Sequence, residues 1–481
     1  MRVLQRAVSR CFVMCLVMLI SFSLESHVLA KEPEPPKYVF LFIGDGMSET
    51  QLSGAQVLKA CIKSDVIDPL PLSFTLFEHI GMMDVENANS YIPDSASSGT
   101  ALSSGVKTVT GAIGLAEDLQ TKAVSIASLA QQKGMKVGLI SDVPLNHATP
   151  AAFYGHVSSR YEYDTLIEQL AASSFDYVAG GGLQQGDTAT LKPTEILRKS
   201  GYHIVETRTA FDVLTAGDNP IYATSEHLTS ELALPYEIDR EVHMLSLADF
   251  VSKGIEVLDN DAGFFMMVEG GKIDWAGHLN DGGTLFQEVF AFEKAVIEAI
   301  EFSINHPNET LIIVTADHET GGMSLGQKQT GSQLHFEQFE QQKKSGSTFE
   351  QQFKHILLQY PTLQFESALM LLESQFGLQQ ITSLSPLYLN EADLVALELA
   401  FEASKLGDMQ VVNQLYGGHD PFTMTALRCL NEKAGVGFST YQHTAHPVSV
   451  YATGVGSEVF SGRYHHTDLF EKLAQLLQVK Q

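Results

Sequence analysis

The chain has 481 residues, 44% of them hydrophobic, with 30 Lys and Arg against 57 Asp and Glu and a formal net charge of −27. That length and apolar content suffice for a large buried core, either one domain or one domain with a sizeable insertion, and so acidic a chain excludes general electrostatic attraction to nucleic acid or anionic membranes. An anionic substrate would need a local source of positive charge.

Residues 1–30 stand apart. Arg2, Arg6 and Arg10 precede the apolar run "CFVMCLVMLISFSL", and "VLA" precedes Lys31. This order reads as a secretory signal peptide and predicts a secreted or periplasmic protein; an uncleaved anchor is the alternative, although spanning usually takes about 20 apolar residues. The segment carries +2, so the remainder is near −29. Its loss would leave Cys61 and Cys429, which could pair in an oxidising compartment.

From residue 31 onward, short apolar runs alternate with amphipathic stretches. "KYVFLFIG" (38–44), "MKVGLIS" (135–141), "FDYVAGG" (175–181), "GFFMMVE" (263–269) and "LIIVTAD" (311–317) read as buried strands. Helical patterns fall at 121–132, 161–172, 243–259 and 284–304. The alternation predicts an α/β fold, a central mostly parallel sheet with helices on both faces. Residues 325–440 break the rhythm, with helical periodicity at 348–359, 365–375, 391–404 and 421–433, and read as a largely helical insertion into a domain covering 31–481. Its flanks predict a place over the strand-end face. "PVSVYATG" (447–454) resumes the sheet pattern.

Acidic residues close several of these strands: Asp45, Asp142, Glu269 and Asp317, the last followed by His318. Ligands of open α/β sheets bind beyond the carboxyl ends of strands. One such acid is usually a cap or loop residue, whereas several with neighbouring histidines suggest a site. "DWAGH" places Asp274 and His278 four apart, so a helical turn can bring both to one side as metal ligands. "HTAH" adds His443 and His446. "NHATPAAFYGHVSSR" holds His147, Thr149 and Arg160; Thr149 could equally be a helix N-cap before Pro150, and Arg160 a surface ion-pair partner. In "YIPDSASSG", Ser95 follows Asp94 and could be a turn residue, a cap or a nucleophile; no Gly-x-Ser-x-Gly elbow surrounds it.

"FLFIGDGMS", "YIPDSASSGTALSSG", "NHATPAAFYGHVSSR", "VEGGKIDWAGH", "VTADHETGG" and "QHTAHP" together, in this order, resemble the alkaline phosphatase family over residues 38–323 and 437–475. The resemblance implies hydrolysis of phosphate monoesters with an alkaline pH optimum, through a phosphoserine on Ser95, releasing an alcohol and inorganic phosphate. It implies two Zn²⁺ and one Mg²⁺ per chain. Asp45, Asp317 and His318 match the ligands of one zinc, which also binds Ser95. Asp274, His278 and His443 match those of the second zinc, and Asp45, Thr149 and Glu269 the magnesium site. Arg160 matches the phosphate-clamping arginine, and Asp94 precedes the nucleophile as in the family. His446 matches no family role. A homodimer is implied by analogy, and no nucleic acid partner is expected.

The residues agree with that chemistry. A serine hydroxyl is a poor nucleophile near neutrality unless a base or metal activates it. Four carboxylates against three divalent cations leave the site positive, and Arg160 adds to it, which suits a phosphomonoester dianion. A planar guanidinium can grip two phosphate oxygens. The positions of His147 and Trp275 vary within the family, and this chain has the His/Trp combination. Among rivals, a sulfatase needs a different context around the nucleophile, and diesterases often lack the arginine and the magnesium ligands.

Overall fold

The computed structural model describes residues 35–63, 68–186, 190–218, 220–380 and 383–480. The expected signal peptide, residues 1–30, lies outside them. Every residue of β1 (Tyr38–Gly44) is buried, as an unbroken apolar run requires when a strand is covered on both faces. The other strands are β2 (His79–Asp84), β3 (Lys136–Ser141), β4 (Tyr177–Gly180), β5 (His203–Val205), β6 (Ile221–Thr224), β7 (Phe264–Gly270), β8 (Thr310–Thr315), β9 (Glu319–Thr320), β10 (Ser324–Leu325), β11 (Val436–Gly437), β12 (His443–Thr444), β13 (Val448–Gly454) and β14 (Gly462–His465). Ten of them form one sheet in the order β14-β2-β13-β8-β1-β7-β3-β4-β6-β5. Only β13 runs antiparallel to its neighbours.

Helices cover both faces, as adjacent side chains of β7 show. Phe264 packs on Phe302 of the Gly282–Asn305 helix, while Phe265 packs on Phe153; successive strand residues point to opposite faces. The predicted helices form with shifted starts. That expected at 121–132 runs Ile126–Gln132, because residues 115–122 fold into a bridged turn and Ser125 caps the helix by accepting from Ser128 N. That expected at 243–259 runs Leu247–Leu258, started by a Ser246–Asp249 capping box, a device worth about 1 kcal/mol.

Within 325–440 lie helices Gly346–Gln359, Phe365–Phe376, Glu391–Leu406 and Pro421–Ala434, and one the periodicity missed, Met409–Tyr416. Two antiparallel ribbons join the flanks of this segment: β10 pairs with β11, and β9 with β12. The Gly346–Gln359 helix abuts the start of the Gly282–Asn305 helix, where buried Asp281 accepts from Gly346 N at 2.6 Å and Gln342 Nε2 at 2.8 Å. The segment therefore reaches the side of the sheet where β7 ends. Cys61 is exposed, Cys429 is buried, and both are free thiols, so they do not pair. No described helix is long and apolar enough to cross a membrane.

Candidate active site

β1 lies where connections turn from one half of the sheet to the other, with β8 on one side and β7 on the other. Such reversals open a crevice at the strand ends. Register sets the ligand heights: Ile43 of β1 pairs with Glu269 of β7 and Thr315 of β8, and Glu269 pairs in turn with Ser141 of β3. Glu269, expected to close its strand, lies within it, one residue before its end. Asp45 and Asp317 follow at the same level. Gly46, at φ +74°, lets the chain turn tightly here; a Cβ would lie 2.7 Å from Thr320 Oγ1 and 2.9 Å from Asp274 Cα. Its N–H donates to Asp317 Oδ1 at 3.2 Å.

The short Lys272–His278 helix carries Asp274 and His278. Asp142 holds its start, accepting from Gly271 N at 2.7 Å and Lys272 N at 3.3 Å. This strand-end acid is therefore a helix anchor. Asp274 Oδ2 lies 3.3 Å from His278 Nε2, and Asp274 Oδ1 lies 3.6 Å from His443 Nε2. The two imidazoles meet at 3.2 Å through their Nε2 atoms. Each turns its other nitrogen to a main-chain carbonyl: His278 Nδ1 to Tyr441 at 2.6 Å, and His443 Nδ1 to Pro93 at 2.8 Å. Such partners orient a ring so that Nε2 is left to ligate. The β9–β12 ribbon holds His443 opposite Thr320.

Ser95 is the first residue of the Ser95–Ser104 helix; the cap is Asp94, in a capping box with Ser97. Its Oγ lies 3.4 Å from His318 Nε2, and the residue is 2% exposed. The first-turn N–H groups and the helix dipole favour negative charge there. Asp94 Oδ1 accepts from Ser97 N and Gly111 N, and Oδ2 accepts from Arg160 Nη1 at 3.1 Å. Arg160 Nη2 lies 3.1 Å from His147 Nε2, so this arginine is no solvated surface partner. Thr149 is not a cap either: it sits inside the Ala148–Ala151 turn, capped by His147, with Oγ1 3.4 Å from Asp45 Oδ2. The Trp275 and His147 rings meet edge to face at 5.9 Å. His446 is exposed.

Three groups of side chains could each hold a cation: Asp45, Asp317 and His318; Asp274, His318 and His443; Asp45, His147 and Glu269. Their electrostatics are strained without one. Burial, then Asp317, pushes the Asp45 carboxyl well above its ordinary range. Burial likewise lifts Asp317 to about 7, with Asp274 adding to it, and lifts Glu269 to about 8. Asp45 Oδ1, Asp317 Oδ2, Glu269 Oε1 and His147 Nδ1 are buried without a hydrogen-bond partner. Buried carboxylates are normally paired or coordinated to metal. Oxygen and imidazole donors of this kind fit Zn²⁺ and Mg²⁺. At His278, burial opposes protonation but Asp274 overrides it and raises the ring to about 9; a cation on Asp274 removes the reason for that proton.

Sequence reading did not single out Thr320, whose Oγ1 hydrogen-bonds Asp274 Oδ1 and lies 3.4 Å from His318 Nδ1. Nor did it find Ser141, whose hydroxyl donates to Glu269. The only signal for Thr320 was its position two residues after His318.

The alkaline phosphatase family model matches residues 36–479. Alkaline phosphatase 3 of Bacillus subtilis is 28% identical over 452 residues, covering 92% of this chain and 89% of that protein. The Escherichia coli alkaline phosphatase is 29% identical over 335 residues, covering 59% and 70%. Among solved structures, the cold-active alkaline phosphatase of a Shewanella species superposes with a TM-score of 0.75 at 26% identity, over 92% of this chain and 99% of that one. The alkaline phosphatase of the Antarctic bacterium TAB5 gives 0.63 at 25%, over 94% and 100%. The chain belongs to the alkaline phosphatase family, and is a metal-dependent hydrolase of phosphate monoesters.

Proposed function

We propose that Ser95 is the nucleophile and that the reaction runs through a phosphoserine. Ser95 Oγ gives up its proton to solvent and forms a bond to phosphorus as the bond from phosphorus to the alcohol oxygen breaks, and the alcohol leaves with a proton from solvent. Water then attacks the phosphoserine, the bond from phosphorus to Oγ breaks, and inorganic phosphate departs while Ser95 regains its proton. The first-turn N–H groups of the Ser95–Ser104 helix favour the charge on the phosphoryl group. Arg160 grips two phosphate oxygens, and Asp94 holds both the guanidinium and the helix start. His147 supports the other edge of the guanidinium.

Two zinc ions and one magnesium ion complete the site in this reading. Asp45, Asp317, His318 and Ser95 would hold one zinc, Asp274, His278 and His443 the other, and Asp45, Thr149 and Glu269 the magnesium. When bound, these ions supply the positive charge that makes a serine oxygen and a water molecule nucleophilic near neutral pH. The observation that carries the reading is the set of unpartnered buried oxygens on Asp45, Asp317 and Glu269. A solved His-to-Asp variant of the TAB5 enzyme is described with Mg bound in its M3 site, which favours a magnesium position in this chain too; the cluster of Asp45, His147 and Glu269 offers donors for it. The reading extends to an exported homodimer, supported by the arginine-rich apolar start and by exposed apolar side chains such as Leu399 and Leu406; light scattering and N-terminal sequencing of the secreted protein test those two points. The deciding experiment traps radiolabelled phosphate on the protein at acid pH and maps the labelled peptide. Label on a residue other than Ser95, or an active preparation free of zinc, overturns the assignment.

A further inference from the structure

A cavity of about 520 Å³ opens beside His278 and Trp275, and its far wall belongs to the Gly346–Gln359 helix. Its volume lies in the range of small-molecule sites, roughly 300–1,000 Å³. We infer that this cavity receives the leaving alcohol and selects a neutral, hydroxyl-rich one, of the size of a monosaccharide. The inference rests on the proposed mechanism and places the alcohol's departure on the side of Asp274, His278 and His443, the ligand set that does not include Ser95.

The position comes first. His278 belongs both to the ligand set and to the cavity wall, so the cavity begins where the bond to the alcohol breaks. Its chemistry comes next. Trp275 and Tyr441 offer rigid aromatic surface, suited to the C–H faces of a sugar ring. Gln351 and Gln442 line the cavity as exposed residues; Gln351 Nε2 donates to Ser230 Oγ and Glu231 Oε1, both at 3.3 Å, which leaves its Oε1 to accept from a ligand hydroxyl, and the Gln442 amide carries both donors and an acceptor. Hydroxyls, which donate and accept, match such groups better than a carboxylate does.

Charge excludes the alternatives. Lys354, an exposed cation of the lining, is paired with buried Glu350, and His419 Nδ1 lies 3.4 Å from the same carboxylate. Lys272 is buried, donates to Leu234 O and stands 3.5 Å over the Tyr236 ring, so it is spent inside the wall. Glu231 adds a carboxylate. The two lysines of the lining are thus matched by Glu350 and Glu231, and the one exposed lysine is already paired, so the lining carries no surplus positive charge to favour a bisphosphate or a phosphorylated acid. A small alkyl group leaves most of it to water.

The protein has a single tryptophan, Trp275, on the cavity wall. Its fluorescence therefore reports occupancy without turnover. In the zinc- and magnesium-loaded Ser95→Ala protein, glucose 6-phosphate should shift this signal with a Kd at least about tenfold below that of ethyl phosphate. Two neutral hydrogen bonds account for a factor of that size. In the active holoenzyme, kcat/KM should favour glucose 6-phosphate over ethyl phosphate by a similar factor, with fructose 1,6-bisphosphate no better than glucose 6-phosphate. Gln351→Ala with Gln442→Ala, both at exposed positions, should bring both ratios towards one. Equal affinities and equal kcat/KM values, or ratios that the double substitution leaves unchanged, overturn the inference. A holoenzyme that binds glucose 6-phosphate selectively but hydrolyses neither ester overturns the mechanism and keeps the cavity assignment.

Discussion

The central strand ends and the 325–440 segment are built on opposite terms. At the ends of β1, β7 and β8, Asp45, Glu269 and Asp317 are at most 1% exposed, and strand register fixes their heights. In the 325–440 segment, Leu358, Met370, Leu399, Leu406 and Leu415 are all more than 60% exposed, and attachment at the sheet end combines the buried packing of Phe336 and Phe339 on Phe286 with polar contacts at the helix ends, such as those to Asp281 and Asp239. The first region is over-determined in geometry and under-compensated in charge. The second is compensated in charge and packs around its own buried aromatic cluster of Phe349, Phe353, Phe401 and Phe422, with an apolar outer face left exposed. Geometry without charge balance is what a cation site requires.

That contrast breaks most visibly on metal removal. Chelation should abolish phosphomonoesterase activity and lower Tm, because mutually repelling carboxylates lose their counter-charge; Zn²⁺ with Mg²⁺ should restore both. A chelated protein with unchanged Tm would mean that the strand ends are not strained. Next in size, Ser95→Ala should cut kcat by about a thousandfold or more while elemental analysis finds the metals still bound. Arg160→Ala should raise KM and weaken inhibition by inorganic phosphate by about 10–100-fold, the worth of charged hydrogen bonds. Unchanged phosphate inhibition would reduce Arg160 to a support for Asp94.

On the other side of the contrast, Asp281→Ala should cost about 2–3 kcal/mol in urea unfolding, since it strands buried donors of Thr284, Gln342 and Gly346. The effect on kcat should be small, unless the junction also positions His278. The smallest change is His147→Asp. A neutral imidazole, which burial and then Arg160 hold unprotonated with its pKa lowered to about 3, adds no negative charge beside Asp45 and Glu269. The aspartate should tighten Mg²⁺ by roughly tenfold, read by titrating the ion into zinc-loaded protein.

The sheet was legible where strands are buried on both faces. "YVFLFIG" and "FFMMVEG" admit no other reading, and the structure places them side by side. The edge strands β5 and β14 were not legible, since "HIV" and "GRYH" are short and mixed in polarity. The Met409–Tyr416 helix escaped although Met409, Val412, Leu415 and Tyr416 share one face, because eight residues are little more than two turns, too few for a periodicity to stand out. For the site, motifs proposed the side chains that the fold gathers, yet not their supports. His278 and His443 take their orientation from carbonyls 163 and 350 residues away in sequence. No local pattern encodes partners so distant. Asp142 shows the converse: a strand-end acid that looked like its neighbours in sequence serves the Gly271–Lys272 backbone instead.

The paired ribbons β9–β12 and β10–β11 have a consequence for how such a chain can change over time. Because Leu325 lies across from Val436, the two ends of the intervening hundred-odd residues are already held together before that stretch contributes anything. Closing a loop costs only a logarithm of its length, about 0.6 kcal/mol per doubling. Lengthening, trimming or exchanging residues 326–435 therefore puts little strain on His318 or His443, which the second ribbon keeps in step. The clasp separates two kinds of constraint within one chain: strand register at the reaction centre on one side, and on the other a stretch whose length the ribbons tolerate.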